Sequence, residues 1–63
     1  MPKRNVKDAA QTRANILFHA QNLFAKHGYA ATSAREISAA AGVTIGAMFH
    51  HFDSKLHVFQ CVF

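Results

Sequence analysis

Between residues 33 and 44 the chain starts one helix, stops it and starts another. The stretch "TSARE" sets Ser33 and Glu36 at the S-x-x-E spacing of a capping box, in which the hydroxyl takes one free backbone N–H and the carboxylate reaches back to a second. A helix therefore begins at Ser33, with Ile37, Ala40 and Ala41 on its inward side. Gly42 ends it by supplying the left-handed residue that other side chains resist. Val43 leads directly to Thr44, whose hydroxyl is placed to cap the next helix. Two short helices joined through a glycine-containing turn make a helix-turn-helix, and the small residues of "SAAAGV" let the two approach closely. An ordinary helical hairpin fits the same spacing, so the function has to be sought in the rest of the chain.

A chain of 63 residues makes one small domain with a core near the lower limit for folding alone. Seven Lys and Arg against three Asp and Glu give a formal net charge of +4, which favours polyanionic partners such as nucleic acid or an acidic membrane surface. A single cysteine, Cys61, has no partner for an internal disulfide and reads as a small buried hydrophobe of an intracellular protein. No stretch approaches the roughly 20 apolar residues of a spanning helix, and no apolar leader segment follows the basic start. A soluble, cytoplasmic protein without a membrane partner is expected.

Residues 1–9, with Lys3, Arg4 and Lys7, have little to bury and read as a basic N-terminal arm ahead of a helical domain over residues 10–63. In the first helix, about residues 10–27, Ile16, Leu17, Ala20, Leu23 and Phe24 repeat so that about 100° per residue gathers them on one stripe. Gly28 stops this helix, and Lys26 and His27 sit in its last turn, where the dipole favours cations. Phe18 lies off the stripe and has no evident use within a single domain.

The third helix, about residues 45–52, divides by angle: Met48 and Phe52 fall together as core anchors, while Ile45, Gly46, Phe49 and His50 share the adjoining arc. Gly46 in its first turn costs about 1 kcal/mol relative to alanine, which makes sense where a duplex must approach the backbone. Asp53 is the expected cap of a fourth helix over residues 54–63. Lys55 then falls in its first turn, where the positive end of the dipole disfavours a cation and an external phosphate would remove the conflict. In "LHVFQCVF", Leu56, Phe59 and Phe63 form one stripe and Val58 and Val62 another. One of them should pack on the first helix.

The histidines do not assemble a metal site. His50 and His51 point about 100° apart, and His57 lies about 10 Å along a continuous helix from His50. His57 and Cys61 have i, i+4 spacing, but two ligands are not a tetrahedral set. No nucleophile, base and orienting group stand together in the pattern, and no glycine-rich phosphate loop is present. Neither an enzyme nor a bound cofactor is expected.

The segment "TRANILFHAQNLFAKHGYAATSAREISAAAGVTIGAMFHHFDSK", residues 12–55, resembles the N-terminal DNA-binding domain of the tetracycline-repressor (TetR) family of bacterial transcription regulators. The matching pieces are "IL..A..LF...GY..TS...I...AGV..G..." and "HF.SK", in the right order and spacing. The resemblance implies an all-α, three-helix helix-turn-helix domain, with the helix-turn-helix over about residues 33–52 and the third helix in the major groove of double-stranded DNA. It further implies a fourth helix leading to a ligand-sensing and dimerising domain, homodimers on palindromic operators, and repression relieved by a small molecule. Without that domain, the 63-residue chain should bind weakly and as a monomer.

Carried over by position, the resemblance assigns base edges to Arg35, Thr44, Ile45, Gly46 and His50. It assigns phosphates to Ser33, Thr44, Phe49, His51 and Lys55, with support of the third and fourth helix junction as the other role of His51. Phe49 stands where the family usually has a tyrosine whose hydroxyl binds phosphate, so that contact is lost while the ring can still pack. Leu56 replaces the usual acidic residue after the lysine, and Phe18 a polar or small one. The rival from a different class is a protein-interaction or membrane-surface helical module, suggested by the basic charge and the apolar fourth helix. A continuous basic amphipathic helix would favour it, whereas the basic residues here are scattered over several elements.

Overall fold

The computed structural model describes the backbone of residues 6–63 and the side chains from Ala9 onward. Four helices follow one another: α1 (Val6–His27), α2 (Ala34–Ala41), α3 (Ile45–His51) and α4 (Lys55–Val62), with no strand among the described residues. α1 begins at Val6 rather than near residue 10, because no proline or glycine between these positions breaks a helix. The basic arm read over residues 1–9 is therefore partly helical, and its Pro2, Lys3 and Arg4 lie outside the described residues.

The apolar stripe of α1 supplies the spine of the core. Ile16, Ala20 and Phe24 are buried and Leu17 and Leu23 pack partly against them, joined by Ile37 and Ala41 of α2, Met48 of α3, Phe52 just after it and Val58 of α4. α1 packs against each of the other three helices. Each large side chain of this set contributes about 1.5–3 kcal/mol by leaving water, which a domain this small needs.

Polar groups close the ends of the helices. Gly28 and Gly42 hold φ of 88° and 76°, the left-handed conformation expected of them. Gly42 N–H donates to the Ala39 carbonyl at 3.1 Å and Val43 N–H to that of Ser38 at 2.9 Å, so the last carbonyls of α2 are satisfied. Asn15 of α1 donates from Nδ2 to the Ala41 carbonyl at 2.8 Å and ties this turn to the spine. Thr32, only 1% exposed, places its hydroxyl 2.8 Å from the Gly28 carbonyl and 3.1 Å from that of Leu23, with one proton to share between the two.

Three burial readings are corrected. Ala40 is exposed, and Ser38 takes the inward place on α2 with its hydroxyl donating to the Arg35 carbonyl at 3.0 Å, so its burial strands no polar atom. Cys61 is exposed, because Val58 and Val62 take the inward positions of α4; its Sγ accepts from Arg13 Nη2 at 3.7 Å. The face of α4 that meets the core is Val58, Phe59 and Val62, whereas Leu56 and Phe63 are exposed. Phe59 leaves its sequence stripe because Phe24 and Tyr29 receive it edge-on, at 5.3 Å and 5.1 Å between ring centres.

Candidate nucleic-acid interface

The exposed side of the helix-turn-helix is built by local capping. At the start of α2, Glu36 N–H donates to Ser33 Oγ at 3.1 Å and Ser33 N–H donates to Glu36 Oε1 at 3.0 Å, the reciprocal box read from the sequence. Thr44 caps α3 by accepting Ala47 N–H on Oγ1 at 3.0 Å. Both hydroxyls serve as acceptors here, so each keeps its own proton for an outside acceptor.

Met48 is the buried residue of α3, with Phe52 at 1% exposure closing the helix behind it. Thr44, Ile45, Gly46, Phe49 and His50 all lie outward, and Ile45 and Phe49 expose 36% and 41% of their surface. A Cβ at Gly46 would meet only Thr44 Oγ1, at 3.9 Å, so no packing inside the protein calls for glycine at this position. Ser33 and Arg35 are exposed at the start of α2. The base-edge candidates thus divide into one continuous arc on α3 and one arginine on α2.

His51 is half-buried, with its ring 5.6 Å from that of His50 and 6.3 Å from that of Phe52. It is the last residue of α3, next to the turn that leads to α4. That junction departs from the sequence reading. Ser54, not Asp53, caps α4, accepting His57 N–H at 3.1 Å, and the His57 ring reaches back so that Nδ1 accepts Asp53 N–H at 2.9 Å. With Ser54 as cap, the third helical residue is an imidazole able to accept; with Asp53 it would be Leu56, which has nothing to offer.

Lys55 resolves its conflict with the helix dipole inside the protein. Its ammonium donates to the Tyr29 carbonyl at 2.9 Å and the Thr32 carbonyl at 3.0 Å, and lies 4.1 Å from the centre of the Tyr29 ring. Two of its three N–H donors are therefore used on the loop between α1 and α2. Sequence reasoning missed this clasp, the buried Thr32 and the His57 cap. The S-x-x-H spacing of Ser54 and His57 was the available signal for the last; Thr32 meets carbonyls only four and nine residues back across the turn that ends α1, and only the clasp depends on residues far apart in the chain.

Among the described residues, no three or more His, Cys, Asp or Glu stand together as metal ligands, and no helix is long and apolar enough to cross a membrane. Among the described residues, Arg13 and Lys26 belong to α1, Arg35 to α2 and Lys55 to α4, so the basic residues are spread over three helices rather than gathered on the single basic face that a membrane-surface helix needs.

Comparison with known proteins agrees with this architecture. Residues 16–62 match the model of the tetR family of bacterial regulatory proteins. The chain is 40% identical over 60 residues to the HTH-type transcriptional repressor BepR of Brucella suis biovar 1, covering 95% of this chain and 29% of that protein. It is 39% identical over 62 residues to the HTH-type transcriptional regulator TtgR of Pseudomonas putida, covering 98% of this chain and 30% of that protein. Over 60 residues it is 39% identical to the probable acrEF/envCD operon repressor of Escherichia coli, covering 95% of this chain and 27% of that protein. The chain thus spans under a third of the length of these relatives. No solved structure matches it at a significant level. Family match, relatives and the capped pair α2–α3 lead to one conclusion: the chain belongs to the tetR family of bacterial regulatory proteins and forms the DNA-binding helix-turn-helix domain of such a regulator.

Proposed function

We propose that α3 enters the major groove of duplex DNA and reads base edges with Thr44, Ile45, Gly46 and His50, while Arg35 reaches a guanine from α2. The observation that carries this reading is the division of α3, with Met48 turned into the core and four outward positions on the helix, beside its cap Thr44, left to a partner. Arginine to guanine and apolar contact of Ile45 with a thymine methyl are the pairings the groove chemistry favours. The free protons of Ser33 and Thr44, the His51 ring and the remaining N–H of Lys55 meet phosphates. Phe49, without a hydroxyl, packs its ring against the sugar-phosphate backbone instead of donating to it.

The regulator to which this domain belongs acts by binding rather than by catalysis, as a cytoplasmic repressor. It forms a homodimer on a palindromic operator and releases it when a small molecule occupies a sensing domain. The repressor names carried by two of the relatives support the direction of control. One copy on one half-site binds more weakly than two copies fixed one helical turn apart on a palindrome.

Selection from a pool of random duplexes, followed by mobility shifts across a salt series, tests the reading. An enriched half-site with affinity falling steeply as salt rises is the expected result. Recovery of random sequence, with equal affinity for every duplex, would remove base reading and leave a general polyanion binder.

A further inference from the structure

We propose that His57 is a proton-sensitive positioning residue for DNA binding: through Asp53 it latches the turn between α3 and α4, and it does so only while Nδ1 carries a lone pair. This rests on the major-groove reading of α3. Phe52 leaves α3 in an extended conformation, with φ −134° and ψ 141°, and only Asp53 and Ser54 separate it from the first turn of α4. In that short turn Asp53 N–H is held by His57 Nδ1 at 2.9 Å and His57 N–H by Ser54 Oγ at 3.1 Å. The imidazole ring also stands edge-on to Phe52, 5.6 Å between centres. The latch thus joins the outgoing end of α3 to the start of α4, beside the residues proposed to meet phosphate.

An imidazolium has an N–H on both nitrogens and nothing with which to accept. Protonation of His57 would therefore set two donors, Asp53 N–H and Nδ1–H, against each other in the turn. It would also place a positive charge at the positive end of α4. The charged and titratable groups around the latch come from every neighbouring element. They are the Asp53 carboxylate in the turn, His51 of α3 against the same Phe52 ring, Arg13 of α1 over that ring at 5.1 Å, and Lys55 in the first turn of α4.

The test compares the 63-residue chain with its His57→Gln and His57→Ala variants, because glutamine keeps a carbonyl that can accept Asp53 N–H and does not titrate between about pH 5 and pH 8. Hydrogen exchange of the Asp53 amide is read first and needs no DNA. Protection at about pH 7.5 should be lost on acidification to about pH 5.5 in the parent, retained at both in the glutamine variant and absent at both in the alanine variant. Affinity for the selected duplex is read second, at the same two values. Acidification also acts elsewhere in all three proteins, so the quantity of interest is the ratio of parent to glutamine variant. That ratio should fall by about two- to tenfold on acidification, the worth of one hydrogen bond.

Equal Asp53 protection in parent and alanine variant, or a ratio that does not change with pH, would overturn the inference. A chain that binds no duplex would instead overturn the major-groove reading, and with it the positioning role, while the amide measurement would still decide whether the latch exists.

Discussion

Lys55 holds Tyr29 twice, by a hydrogen bond of 2.9 Å to its carbonyl and by laying the ammonium 4.1 Å from the centre of its ring. With the Thr32 carbonyl at 3.0 Å, this makes one side chain the tie between α4 and the loop that delivers α2. Sequence reading alone expects Lys55→Gln to leave the free domain no less stable, since a cation leaves the positive end of a helix. The clasp reverses that expectation. Lys55→Gln should destabilise the domain by about 1–2 kcal/mol, a figure reduced because the group is partly exposed. Urea unfolding measures this. A salt series on the same variant reads the remaining N–H: loss of one phosphate contact lowers the log K against log salt slope by about 0.9 in magnitude. A destabilised variant with an unaltered slope would make Lys55 purely structural.

Arg35 is exposed at the start of α2 and is the single arginine of the helix-turn-helix. Arg35→Ala should cost roughly 1–3 kcal/mol on the preferred site and relax selection at one base pair. Binding curves on the preferred duplex and on random sequence distinguish the roles. Equal losses on both would reassign Arg35 to the phosphate backbone.

Gly46→Ala should separate stability from function. The new methyl meets nothing nearer than 3.9 Å within the protein, and alanine is the better helix former, so the thermal midpoint should rise by the equivalent of up to about 1 kcal/mol. The same methyl stands where the duplex is proposed to approach, and affinity should fall. A variant that gains stability and binds as before would mean that the groove never closes on that backbone.

Thr32→Val keeps the shape of a residue that is 1% exposed and removes the hydroxyl that serves the Leu23 and Gly28 carbonyls. A loss of about 1–2 kcal/mol in chemical denaturation is expected, because the part-buried carbonyls lose the hydroxyl that serves them. Base preference in the duplex selection should not change. A shift in preferred sequence would show that this loop also sets the angle of α2.

The parts of the fold legible in the sequence are those governed by neighbours three or four residues away. The Ser33–Glu36 box, the left-handed Gly28 and Gly42, the Thr44 cap and the inward Met48 all follow from local spacing, and all stand in the structure. Where two local choices compete, spacing decides less well: Asp53 and Ser54 both can cap, and the outcome turned on what the third helical residue could return. Contacts between distant residues were not legible. Lys55 meets carbonyls 26 and 23 positions away, and Cys61 finds Arg13 across 48. Periodicity carries no trace of such pairings. The separation of Ile45, Gly46, Phe49 and His50 from the Met48 and Phe52 anchors follows from helical angle and stands in the structure, whereas their roles at base edges came from family resemblance.

The division of α3 also bears on how such a domain changes over generations. One buried side chain, Met48, anchors the helix, and its N-cap and C-terminal closure lie in the backbone and in Thr44. Substitutions at Ile45, Phe49 or His50 therefore leave the Met48 anchor in place, and those that keep the partly covered apolar area of Ile45 and Phe49 touch little that holds the domain together. If the outward residues read base edges as proposed, a lineage could retarget the domain to a new operator one such residue at a time without passing through an unfolded intermediate. The outward residues are replaceable type set in a fixed frame.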